Sequence, residues 1–81
     1  MTKTEALQQI RKEVAKETGL PLTDIEDSAS FFSLGLDSIS AVYVLDRLEK
    51  QLKTEMNPLL FWDYPTVEAF AEYLTSLKIN E

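Results

Sequence analysis

The sequence predicts an all-α fold: a four-helix bundle of three main helices and one short helix, with a long ordered loop between helices one and two. Three observations carry this. Apolar residues recur at steps of three and four in three separate stretches, the spacing of a helix buried along one face. Each stretch is bracketed by residues that start or stop helices. No segment alternates with period two for long enough to build a sheet.

The first helix is expected over roughly Lys3 to Thr18. Thr2 and Glu5 have the spacing of a capping box, in which each satisfies a backbone N–H of the first turn. Leu7, Ile10 and Val14 follow at helical spacing, with Ala6 beside them. Gly19 supplies the left-handed conformation that closes a helix, and Pro21 prevents its continuation. From Gly19 to Asp37 no period is visible. Turn formers such as Asp24, Ser28, Ser30 and Gly35 alternate irregularly with Leu20, Leu22, Ile25, Phe31, Phe32, Leu34 and Leu36. A loop dotted with such large side chains is expected to be pinned to the core, with a short helical turn near Ala29 to Ser33. Its acidic cluster, Asp24, Glu26 and Asp27, is expected to be solvated.

The second helix is expected over Ser38 to Leu52, capped by Asp37 or Ser38. Ile39, Val42, Leu45, Leu48 and Leu52 form its apolar stripe, and Asp46, Arg47, Glu49, Lys50 and Gln51 its solvated face. Asn57-Pro58 offers an N-cap followed by proline, opening a short helix through Leu59, Leu60, Phe61 and Trp62. Tyr64-Pro65 ends it. Thr66 caps the last helix, where Glu68 meets the helix dipole favourably. Val67, Phe70, Ala71 and Leu74 give this helix its stripe, with Tyr73 at the edge.

The chain has 81 residues, which fits one domain over 1–81. A domain this small buries only about 60% of the surface its unfolded chain exposes. It has no Cys and no His. Disulfides, thiol chemistry, the commonest general base and the commonest metal ligand are therefore absent. Stability must come from packing, for which the 44% hydrophobic content with four Phe and one Trp suffices. The net charge of −6 argues against nucleic acid, whose phosphates demand Lys and Arg patches. It either favours partners that present basic surfaces or simply keeps the chain soluble. Met1-Thr2-Lys3-Thr4-Glu5 lacks the apolar core of a signal peptide, and no apolar run approaches the roughly 20 residues of a membrane span. A cytoplasmic monomer without membrane contact is expected. The two chain ends suggest a free-standing protein, although a domain cut from a larger chain would look the same.

Leu34-Gly35-Leu36-Asp37-Ser38-Ile39 is the most informative stretch. It places the Ser38 hydroxyl where a glycine turn gives way to a helix. Backbone N–H groups without partners and the positive end of the helix dipole suit a phosphate ester there. No His is available as a base, and no Lys or second carboxylate stands at a defined spacing to replace it. Ser38 therefore reads as a point of attachment and not as a nucleophile of a hydrolase. Gly35 is expected at positive φ, which permits a close approach of another surface.

Phe32-Ser33-Leu34-Gly35-Leu36-Asp37-Ser38-Ile39 resembles the attachment motif of acyl carrier proteins. Phe61-Trp62-Asp63-Tyr64-Pro65-Thr66-Val67 is similar to the Phe-Asp-Tyr-Pro-Thr stretch of polyketide-synthase carrier domains, with Trp62 inserted. The two motifs stand in the family's order and separation, and the resemblance runs from helix one to Leu77. It implies a bundle whose second helix opens on Ser38, esterified with 4′-phosphopantetheine from coenzyme A by a phosphopantetheinyl transferase. Magnesium would be supplied at the transferase site, where Asp37 either helps place metal and coenzyme A or serves only as a helix cap. The arm's thiol, and no side chain here, would hold an acyl group as a thioester. The protein itself would be non-catalytic, serving acyltransferase, ketosynthase or related enzymes of polyketide or specialised fatty-acid synthesis. Tyr43 stands where fatty-acid carriers place an acidic residue, and Arg47 and Lys50 make that helix mixed in charge, which favours polyketide-type partners. A peptidyl carrier of nonribosomal peptide synthesis is the first alternative, and a helical interaction module without a prosthetic group the second.

The expected partner contacts around Ser38 are Leu36, Ile39, Tyr43 and Met56, with Val42 assigned to the core by its phase with Leu45. Met56 has a second reading, as a flexible gap-filler at the bundle edge. Phe61 and Trp62 are read as core. The alternative is a cleft beside Tyr64 that shelters a short acyl chain.

Overall fold

Local signals set the helix limits. The computed structural model describes residues 1–77. It contains α1 (Lys3–Thr18), a single 3₁₀ turn (Leu22–Asp24), α2 (Ser38–Leu52), α3 (Leu60–Asp63) and α4 (Val67–Ser76). The expected single domain over 1–81 includes 78–81, which lie outside the described residues.

The Thr2–Glu5 capping box is formed, and Gly19 ends α1 at φ 77° with its N–H donating to the Ala15 carbonyl. Asp37, not Ser38, caps α2. Its other end has no glycine: Lys53 takes the left-handed conformation itself, at φ 54°. The short helix starts later than the sequence predicts. Asn57 Oδ1 accepts the Leu59 N–H at 2.9 Å and the Asn57 carbonyl accepts the Leu60 N–H at 2.9 Å. Asn57 and Pro58 thus form an Asx-type turn that leads into α3 without belonging to it.

α1 packs against both α2 and α4. Ala6, Ile10 and Val14 meet Val67, Phe70, Ala71 and Leu74 in a core completed by Val44, Leu45 and Leu48 of α2. The predicted stripe of α4 is buried as expected. That of α2 is half wrong, because Ile39 and Val42 are exposed. A helix turns about 100° per residue, so each step of three falls about 60° short of a full turn. Three such steps carry the pattern from Ile39 to Leu48, on the opposite side. The true core face runs through Ala41, Val44, Leu45, Leu48 and Leu52.

The long loop is pinned, as its apolar residues suggest. Ile25, Phe31 and Leu36 are buried, whereas Leu22 and Phe32 are exposed. Phe31 packs edge-on against Phe61 at 4.8 Å and Phe70 at 5.8 Å. The backbone is tied as well. The carbonyls of Asp27 and Ala29 accept the N–H groups of Glu68 and Val67, the first donors of α4, and Pro65 accepts from Phe31. These are groups that a helix start leaves without intrahelical partners. Ser30 and Thr66 form an isolated antiparallel bridge at this seam. Arg11 holds the loop from α1 by donating to the Ile25 carbonyl and pairing with Asp27. Asp27 is therefore a tie and not a solvated member of its acidic cluster.

One polar network lies between α1 and α2. Glu13 is 1% exposed. Its carboxylate accepts from Arg47 Nε at 2.6 Å and Gln51 Nε2 at 2.8 Å, and Lys16 pairs with it at 3.4 Å. Arg47 also reaches Glu17 at 3.0 Å. Arg47 thus turns towards α1 and is half-buried, contrary to its assignment to the solvated face, whereas Gln51 reaches Glu13 while remaining exposed as expected. Burial alone would raise the Glu13 pKa, but the hydrogen bonds from Gln51 and Arg47 outweigh it and hold the carboxyl below its ordinary 4.5. Its stabilising contribution is complete above that ordinary value and is lost as pH falls through the lower folded value. Arg47→Ala is expected to cost about 3 kcal/mol, the low end for stripping a buried charge of its partner, because Lys16 and Gln51 remain. Urea unfolding at pH 7 measures this. The same series at acid pH should show a smaller loss below pH 4.5 in the variant than in wild type.

Candidate functional site

The segment before α2 explains how Ser38 is presented. Gly35, at φ 94°, donates its N–H to the Phe32 carbonyl at 3.0 Å, and Leu36 donates to Phe31 at 3.1 Å. This pair of bonds around a left-handed glycine is a Schellman closure of the turn at Phe31–Gly35. Such a closure brings the residue after the glycine onto the residue four places before that glycine. Here those residues are Leu36 and Phe31, each 2% exposed. Leu36 is therefore an anchor beneath the site, which corrects its assignment as a partner contact. With Leu36 locked inward, the chain runs through Asp37 to an exposed Ser38, the first residue of α2.

Asp37 Oδ1 accepts the Ser40 N–H at 2.7 Å. That hydrogen bond is the main reason its carboxyl is held below the ordinary aspartate value, so Asp37 is ionised at neutral pH. The helix start is thus less open than the sequence suggests. One of its donors already serves Asp37, and a phosphate on Ser38 would sit beside a carboxylate. The geometry offers an accessible hydroxyl and an accessible anion on adjacent residues.

A Cβ built on Gly35 meets nothing within 4 Å. Space beside it is open, but a side chain at this φ is strained by about 1–2 kcal/mol. Gly35→Val is expected to lower stability by that amount and to slow loading of Ser38 further, because the branched side chain would project where an enzyme must approach. Loading rates under strongly native conditions separate the two effects. Equal rates in variant and wild type would contradict the second.

Of the other predicted contacts, Ile39 is 66% and Tyr43 56% exposed. Val42 joins them instead of the core. Val42 and Tyr43 stand one turn after Ile39 on the face of α2 opposite its core side, followed by the Asp46–Lys50 pair at 3.0 Å. An amphipathic helix ordinarily keeps apolar residues off its solvent face, so the first turns of α2 carry a second, unpartnered apolar stripe beside Ser38. Met56 is 5% exposed and belongs to the core cluster, so the gap-filler reading holds and the contact reading does not. Phe61 is core, but Trp62 is 68% exposed and touches Phe32, not Tyr64, which stacks on Tyr73 at 4.8 Å. No cleft of Phe61, Trp62 and Tyr64 forms. In the sequence Phe32 is one of several apolar loop residues and the first residue of the motif that ends at Ile39, and nothing local marks it as outward-facing.

Comparison with known proteins agrees with this geometry. Residues 8–74 match the family model described as "Phosphopantetheine attachment site". The chain is 31% identical over 78 residues to the conidial pigment polyketide synthase PfmaE of Pestalotiopsis fici, covering 96% of this chain and 4% of that protein. It is 36% identical over 79 residues to the non-reducing polyketide synthase VdtA of Byssochlamys spectabilis, covering 98% and 3%. The chain therefore spans only a few hundredths of the length of these relatives. A free-standing peptidyl carrier protein from a secondary metabolic pathway of Acinetobacter baumannii superposes with a TM-score of 0.87 at 46% identity, covering 91% of this chain and 92% of that one. The HMG-ACPI domain of the CurA module from Lyngbya majuscula gives 0.84 at 23% identity, covering 90% and 74%, and shows the same fold.

Proposed function

The chain belongs to the phosphopantetheine attachment site family and is a carrier of that covalently bound group, and on this premise we propose that Ser38 bears the arm. The observation that carries the reading is the exposed hydroxyl at the first residue of α2, held out by the inward lock of Leu36. Ser38 Oγ attacks the phosphorus that links pantetheine in coenzyme A. The Oγ–P bond forms as the phosphoanhydride bond to the adenosine half breaks. The serine proton passes to a base on the transferase, and adenosine 3′,5′-bisphosphate leaves. Asp37, already ionised, stands beside the reacting oxygen and can share the transferase's magnesium. Gly35 keeps the approach clear. When bound, the arm supplies a thiol that holds an acyl group as a thioester, so the absence of Cys from the chain is no obstacle.

The protein is then a single non-catalytic domain over 1–81. It tethers intermediates and raises their effective concentration at each partner's active site. Ile39, Val42 and Tyr43 are the surface that a transferase, acyltransferase or ketosynthase would touch in small, transient contacts. The polyketide synthases among its relatives support acyl cargo of polyketide or specialised fatty-acid type. A cytoplasmic monomer is the setting that fits. Among the described residues no helix is long and apolar enough to cross a membrane.

A second reading, a peptidyl carrier, is favoured by the 46% identity to the Acinetobacter baumannii protein over nearly its whole length. Intact mass decides both levels. Incubation with coenzyme A, magnesium and a broad-specificity transferase should add one phosphopantetheinyl group, and no gain would refute the carrier reading. The loaded protein offered to an acyltransferase with acyl donors, and separately to adenylation enzymes with amino acids and ATP, should gain an acyl mass in the first case. An aminoacyl gain alone would establish the peptidyl reading.

A further inference from the structure

Two dipeptides in this chain each send one aromatic ring inward and one outward. Phe31 and Phe61 are buried and meet at 4.8 Å. Their neighbours Phe32 and Trp62 are exposed, and also meet, at 5.6 Å with planes tilted by 49°. The inner pair accounts for packing. The outer pair adds nothing to the core, yet leaves two large rings in water, in contact with each other and each with about half or more of its surface exposed.

The location of this pair is informative. The Phe32 carbonyl accepts the Gly35 N–H, and Gly35 lies three residues before Ser38, a stretch that spans at most about 11 Å. We propose that the Phe32–Trp62 pair is a surface seat for the acyl group on the arm, selective for flat aromatic or conjugated acyl groups. The proposal rests on Ser38 bearing the arm. A tethered group is present at high effective concentration, so a shallow seat is enough to be occupied. Aromatic rings this exposed favour a planar group that can stack on their outer surface or meet it edge-on. The exposed acids Asp37 and Asp63 disfavour an acyl group ending in a carboxylate. The occupant is therefore neutral and planar.

Trp62 is the only tryptophan in the sequence, so its fluorescence reports this seat alone. The protein is loaded from benzoyl-coenzyme A or from acetyl-coenzyme A by a broad-specificity transferase, and intact mass confirms each product. Benzoyl loading is expected to shift Trp62 emission to shorter wavelength and reduce its quenching by acrylamide relative to the unloaded protein. Acetyl loading should leave both near the unloaded values. Phe32→Ala, loaded to the same mass, should lose the benzoyl-induced shift and hydrolyse its thioester faster than wild type. A benzoyl-loaded protein with unchanged emission and quenching overturns the seat while leaving the carrier reading intact, and assigns the rings to solvent or to a partner enzyme. A shift that survives Phe32→Ala also overturns it, by placing the group elsewhere. Failure to gain mass overturns the attachment reading and the seat together.

Discussion

Ser38→Ala is expected to abolish loading, with no phosphopantetheinyl mass gained after exhaustive incubation with transferase and coenzyme A. The substitution removes the one oxygen that can form the ester at this position and removes little else. Ser38 is exposed, and the capping of α2 is done by Asp37 through the Ser40 N–H. Thermal unfolding followed by circular dichroism should therefore place the variant close to wild type. Ser40→Ala serves as the matched control, because what Ser40 gives Asp37 is its backbone N–H, which the substitution keeps. It should gain the same phosphopantetheinyl mass as wild type. A mass gain by Ser38→Ala equal to that of wild type would move the attachment point elsewhere and remove the basis of the proposed function.

Phe31→Ala is expected to have the largest effect on stability, about 3–5 kcal/mol in urea unfolding, the usual range for emptying a phenylalanine site in a packed core. An 81-residue domain has only about 4–12 kcal/mol in all. The loss is severe because Phe31 serves three contacts at once: the ring against Phe61, the ring against Phe70, and the inward lock shared with Leu36. Its backbone N–H also donates to Pro65. The same substitution should slow loading of whatever fraction remains folded, because the loop that ends at Ser38 loses its anchor. Phe32→Ala, one residue along, should cost under about 0.5 kcal/mol, as expected for an exposed position outside the packing. Similar losses for the two variants would contradict the inward and outward assignment of these neighbouring rings.

Glu13 shows how much of the interior could have been read earlier. It stands three residues after Ile10 and seven after Ala6, on the very stripe that α1 buries. An acid at that phase is a legible sign of a buried partner, and Arg47 and Gln51 are spaced to answer it from one face of α2. Lys53 had no comparable signal, because nothing in its side chain marks a left-handed residue where glycine is usual.

Caps, turn formers and periodicity determined the helices and the position of Ser38 at the head of α2. These are short-range effects, in which a side chain acts on backbone groups within a turn of itself, so they are written in adjacent residues. Tertiary structure decided which apolar residues face water. Ile39, Val42, Phe32 and Trp62 are outside, while Leu36 and Met56 are inside. Hydrophobic side chains have no intrinsic direction. Each is buried only if another element arrives to cover it, and α1 covers one side of α2 and leaves the other open.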